Sequence, residues 1–235
     1  MSRISTAPLW KNKSIENGLR TFVNLNTATM YESAWADLNS IRTILDQRSE
    51  SLNNNKWNWK NMWNVLKKIQ EKKCSSIKIS KALMFRIKCI NKLLLTKSLC
   101  FQRDPASYKS KICIACYAKE ESLEHLADCQ IYLKIWEKLE EIVMEELESK
   151  IFDRWKLSTS RQELKATLLG SRLEDKLAKR KLHIRGLTST SLIAEIKEIL
   201  GSRTKASKAV CWFTELFWSN FYERLWKFHC EVMIE

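Results

Sequence analysis

Glycine and proline are scarce in this chain, with four and two copies in 235 residues. That leaves little material for tight hairpins or a glycine-rich phosphate loop, and it leaves long stretches free to be helical. No apolar run approaches the ~20 residues that a membrane helix requires. The N-terminus also lacks the basic and then apolar succession of a signal peptide. Secretion and membrane spanning are therefore disfavoured, and an intracellular chain with no membrane partner is expected. Apolar residues make up 45% and aromatics 10%, enough for one sizeable core or two small ones. The expected fold is mostly α, a helical bundle with a small metal-knuckle insertion and little or no β-sheet.

Positive charge, by contrast, is abundant and unevenly placed. The formal net charge is +14. Residues 56–112 hold 15 basic and 2 acidic side chains, a net of +13, whereas residues 113–152 hold 4 and 10, a net of −6. Localised positive charge of this kind suits a polyanion. The composition suggests three parts: a polar segment with one helix over 1–55, a basic helical region with a metal motif over 56–150, and a helical region over 151–235. The asparagine-rich stretch "SESLNNNKW", residues 49–57, is the linker candidate.

Eight cysteines in a chain without a secretory pattern point to reduced thiols. Three of them share "CIACYAKEESLEHLADC", residues 113–129, with a histidine. The spacing Cys-x2-Cys-x8-His-x3-Cys offers Cys113, Cys116, His125 and Cys129, the donor set of a tetrahedral zinc ion. Four protein ligands leave no open position for water, so a structural ion is expected rather than a catalytic one. His125 and Cys129, four residues apart, are expected on one face of a helix that "EESLEHLADC" begins. Ser122 is its N-cap, with Glu120, Glu121 and Glu124 at the positive end of its dipole. The competing reading is a chance meeting of a Cys-x2-Cys and a solvated histidine in a cysteine-rich chain. Cys74, Cys89, Cys100, Cys211 and Cys230 lie among helical apolar residues and read mostly as core.

Residues 85–136 resemble the zinc-binding region found downstream of the polymerase in LINE-like, non-LTR retrotransposon reverse transcriptases. The resemblance is carried by Phe85 and Arg86, Leu93 to Thr96, Cys113, Cys116, Glu121, His125, Leu126, Cys129 and Trp136, and Leu95 stands where the family often has proline. It covers about a quarter of the chain, and it implies polymerase and RNase H domains as neighbours in the same polyprotein. The paired aspartates of such polymerases are absent from the sequence. No strand-rich stretch carries the separated carboxylates of an RNase H either. A non-catalytic module is expected.

Helical stripes recur along the rest of the chain. They comprise Trp35, Leu38, Ile41 and Leu45; Trp59, Trp63, Leu66 and Ile69; Leu83, Ile87, Ile90 and Leu94; Ile135, Trp136, Leu139, Ile142, Val143 and Leu147; and Leu164, Leu168, Leu173 and Leu177, read as one further helical segment. The ten acids of residues 113–152 read as a solvated face or one docked on a basic neighbour. "KRKLHIR", residues 179–185, reads as a nuclear import signal or a chance cluster. The final segment, from Val210 to Trp226, is apolar on nearly every side, which demands burial within this chain or against a partner.

Nucleic acid, RNA or DNA, is the leading partner expectation. Arg86, Lys88, Lys92, Lys97, Arg103, Lys109 and Lys111 are the candidate phosphate contacts, and Trp57 beside the linker is a candidate base-stacking residue. Solvated lysines and core tryptophans are the plainer readings of the same residues. The alternative function is an assembly module whose aromatic helices dock on polymerase or RNase H domains or on a second copy. A cysteine or zinc hydrolase finds no support, because the sequence offers no base with an oriented partner, His183 and His229 standing isolated.

Overall fold

The computed structural model describes Leu9–Trp10, Lys13–Ser14, residues 57–71 and residues 77–234. The expected helix through Trp35, Leu38, Ile41 and Leu45 lies outside the described residues, as does Cys74. The chain divides between Asn53 and Asn54 into two compact units. In the first, Leu9–Trp10 pairs antiparallel with Lys13–Ser14. The second is a helical bundle, as composition suggested.

Its helices are α1 (Trp59–Glu71), α2 (Ile77–Ile90), α3 (Lys97–Arg103), α4 (Leu123–Asp128), α5 (Leu133–Trp155), α6 (Arg161–Leu169), α7 (Leu173–Ile184), α8 (Thr190–Leu200), α9 (Arg203–Asn220) and α10 (Lys227–Ile234). A 3-10 turn, Gln130–Tyr132, links α4 to α5, and a π-helical segment, Phe221–Trp226, links α9 to α10. Side-chain caps set several of the starts. Thr96, Ser122, Ser160 and Ser189 accept hydrogen bonds from the backbone N–H groups of Leu99, His125, Glu163 and Leu192, each satisfying a donor the helix leaves orphaned. Gly201, at φ +67°, ends α8 in the left-handed conformation that glycine takes without strain.

Several sequence expectations are corrected. The boundary at 150/151 falls inside α5, and residues 54–235 form one compact unit. The segment from Arg161 to His183 is two helices, because Gly170 at φ +92° breaks it and leaves Leu173 exposed at the start of α7. Among the described side chains of α1, Asn61, Met62, Val65 and Leu66 are buried and Trp63 is half-buried, whereas the side chains of Trp59 and Ile69 lie outside the described residues. On α2 the buried face is Phe85, Arg86, Cys89 and Ile90, with Leu83 and Ile87 at its edge.

The core forms around α9, which packs against α1, α5, α7 and α8. Phe213, Phe217, Trp218 and Phe221 are fully buried, so the apolar C-terminal pattern finds its cover inside this chain. Trp136 of α5 stacks on Phe217 and Phe221 at centroid distances of 5.9 and 5.6 Å. Burial of each such ring contributes about 1.5–3 kcal/mol, more than any exposed ion pair in the molecule can. The acidic face of α5 is docked as well as solvated: Arg161 of α6 meets Glu141, Glu145 and Glu148, and Lys165 meets Glu141.

Candidate metal centre and its surroundings

The cysteine loop is shaped by its backbone. Ile112 and Glu120 bridge as an antiparallel pair, the Cys113 N–H donates to the Lys119 carbonyl at 2.8 Å, and the Tyr117 N–H donates to the Cys113 carbonyl at 2.9 Å. This curls Cys113 and Cys116 toward one point. Ser122 then starts α4, its hydroxyl accepting the His125 N–H at 3.1 Å. Here the structure departs from expectation. α4 ends at Asp128, and Cys129 is its extended C-cap, so the last two ligands sit on and just beyond the helix. The three acids at the helix start are engaged elsewhere, Glu120 with Lys111 and Ser98, Glu121 with the Lys97 N–H, and Glu124 with Lys92.

The ligand atoms of Cys113, Cys116, His125 and Cys129 all lie within 4.8 Å of one another. A tetrahedral ion with thiolate bonds of ~2.3 Å needs donor separations of about 3.8 Å, and the Cys116 Sγ to His125 Nε2 distance is 3.3 Å. The described cysteines are free thiols. The four residues therefore form a group that can hold a soft metal ion.

The surroundings are arranged for that task. His125 Nδ1 donates to Asp128 Oδ1 at 3.2 Å, which fixes the tautomer and leaves the Nε2 lone pair facing the cysteines. Lys181 of α7 in turn meets Asp128 Oδ2 at 3.2 Å. Burial pushes the Cys116 thiol up, but opposing hydrogen bonds, led by the backbone N–H groups of Ala118 and Lys119, outweigh it and bring it down to about 6. Burial dominates at Cys113, whose thiol is pushed up to about 12. A bound cation would offset that burial cost by holding the thiolate form.

Behind the ligands lies a buried polar chain that no sequence pattern indicates. Glu121, fully buried, accepts the Lys97 N–H at 2.7 Å and lies 3.3 Å from His229 Nε2, while His229 Nδ1 and the Tyr132 hydroxyl are 3.0 Å apart. Burial opposes the charged form of Glu121, yet His229 and the Lys97 N–H hold its carboxyl below the usual range. This chain fastens the metal loop to α3 on one side and to α10 on the other. Trp136 adds a second fastening, since its Nε1 donates to the Leu126 carbonyl at 2.8 Å. The glutamate and tryptophan of the motif thus have structural tasks. His183 is also occupied, with Nε2 donating to the Leu168 carbonyl at 2.7 Å and its ring edge-on to Phe213.

The candidate nucleic-acid residues separate into two groups. Lys88, Arg103, Lys109 and Lys111 are exposed, Lys111 being paired with Glu120. Every residue from Gln102 to Ile112 is exposed, so Arg103, Lys109 and Lys111 lie on an open arm that leads into the first ligand. Arg86 is not a surface cation: it is 8% exposed, lies over the Trp218 ring at 5.1 Å and donates from Nη1 to the Val65 carbonyl. Lys92 is half-buried against Glu124, Lys97 is half-buried, and Trp57 is half-buried in a backbone bridge to Ser189.

The basic cluster at 179–185 is likewise absorbed by packing. Arg180 pairs with Glu140 in the interior, Arg185 donates to the Ile90 carbonyl at 3.0 and 3.2 Å, and Lys179 donates to the carbonyls of Ala166 and Thr167. That is not the exposed basic run an import signal would present. Asp128 was not among the sequence expectations, although its three-residue spacing from His125 is the signal that finds it, whereas His229 stands too far along the chain for any local signal. Comparison of the chain with protein-family models, with curated proteins and with solved structures gave no match.

Proposed function

We propose that the chain is a non-catalytic, zinc-stabilised helical module that binds nucleic acid as part of a retrotransposon-derived reverse transcriptase polyprotein. The observation that carries the reading is the exposed arm from Gln102 to Ile112, bearing Arg103, Lys109 and Lys111, whose exit is fixed by Cys113 of the four-ligand cluster. Zinc suits three thiols and an imidazole better than magnesium or calcium, which take oxygen donors. The ion would hold the loop, and the arm, with Lys88 of α2, would follow a phosphate backbone.

The test is a binding series against single-stranded RNA, single-stranded DNA and duplex at several salt concentrations. The parent should show a steep negative log-log slope. The variant Lys88→Gln/Arg103→Gln/Lys109→Gln should bind every sequence more weakly, with a slope flatter by up to about 2 on single strands. Unchanged affinity and slope in the variant would remove the nucleic-acid reading of this arm.

One observation favours the alternative assembly module. Leu93, Leu95, Ile112, Tyr117 and Ile131 are exposed near the metal cluster, Tyr117 at 80%. Binding that ignores salt, or a concentration-dependent dimer, would favour that reading.

A further inference from the structure

A second feature lies between α2 and the π-helical segment. A cavity of about 480 Å³ is lined by Lys81, Phe85, Arg86, Trp218, Tyr222 and Lys227 among others, a volume in the range of pockets that take small organic groups. We propose that this cavity receives one unpaired nucleobase of a single-stranded nucleic acid, with the flanking phosphates on Lys81 and Lys227.

Several features of the cavity carry the inference. Its walls are aromatic, with Phe85 and Tyr222 in edge-to-face contact at 4.8 Å, so a flat ring laid against this wall finds stacking surface. At its back stands Arg86, whose guanidinium offers several N–H donors to a base edge and already lies over the Trp218 ring. Its rim is polar, with Lys81 and Lys227 exposed and Glu223 paired to Lys227. Glu223 gives the rim an acceptor for an exocyclic amino group. Arg86 already donates from Nη1 to the Val65 carbonyl, and a nucleobase carries both a π-face for the wall and acceptors for the guanidinium's other N–H groups, which an apolar side chain of a protein partner lacks.

The π-helix supports the same assignment. Single π turns are rare and gather at functional sites, and this one, Phe221–Trp226, contributes Tyr222 and Glu223 to the cavity. The burial of Arg86 thereby acquires a use that a phosphate contact would not explain.

The inference rests on the nucleic-acid reading above, and an abasic probe separates the two. A short labelled single strand is compared with the same strand carrying abasic residues, which keeps the phosphates and removes the bases. The full-length parent should bind the abasic strand about 5- to 150-fold more weakly, the loss expected for one stacked base. Tyr222→Ala should bring the two probes to equal affinity, and Tyr222→Phe should restore the preference. Lys81→Gln/Lys227→Gln should weaken both probes while keeping their ratio, and because these side chains are exposed it reports on the pocket even if Tyr222→Ala fails to fold. Equal affinity of the parent for both probes with a steep salt slope would overturn the base pocket and leave the phosphate arm standing. Absence of binding to either probe would overturn both.

Discussion

Between Ile112 and Tyr132 the chain buries Leu123, Leu126 and Ala127 beside its ligands, whereas α9 alone buries Phe213, Leu216, Phe217 and Trp218. α4, six residues long, is far shorter than the ~12–15 residues at which an isolated helix becomes even marginal. The metal loop therefore draws its order from its ligands, its caps and the Glu121–His229–Tyr132 chain. The bundle draws its order from aromatic area. If the four-ligand cluster holds an ion as proposed, one region is conditional on it and the other is not.

Trp136 belongs to both regions, which makes it the site of the largest expected effect. Its ring stacks in the bundle and its Nε1 holds Leu126 of the metal helix. Trp136→Ala should cost about 3–5 kcal/mol of stability in denaturant unfolding and should weaken metal retention as well. A loss confined to stability, with metal affinity unchanged, would show that the two regions are not joined through this side chain.

The next effect belongs to the bundle alone. Burial holds His183 near 4, against an ordinary 6.5. Between those values the unfolded chain binds more protons than the folded one, so stability should be full above about pH 6.5 and should fall as pH drops toward 4, by up to about 3 kcal/mol. His183→Gln should flatten this part of the pH profile. An unaltered profile in the variant would assign the acid sensitivity to the metal ligands instead.

The smallest effect belongs to the metal loop. Asp128→Ala removes the acceptor of His125 Nδ1–H and should lower metal affinity about 10- to 100-fold in a competition titration, with little change in the unfolding midpoint of the bundle. Equal affinity would mean that Asp128 does not orient the imidazole.

Much of this contrast was legible in the sequence. The four ligands announce themselves because thiolates and imidazole at fixed spacing have few other uses, and Ser122 because a cap must precede its helix. α9 was legible as buried, though not what buries it. Arg86 was expected at the surface as a phosphate contact, and the basic composition of α2 concealed that this one cation faces inward to Trp218. The cluster at 179–185 misled for a similar reason: short basic runs look exposed until Glu140 and the Ile90 carbonyl are brought against them by chain segments 40 and 95 residues away. The polar chain through His229 depends on long-range folding and left no local trace.

The most direct test of the account is amide hydrogen exchange on the full reduced chain, loaded with one equivalent of zinc and then treated with a chelator. The account predicts that residues 111–132 lose protection on chelation while α5 and α9 keep theirs. Unchanged protection over 111–132, or equal loss throughout α9, would contradict it.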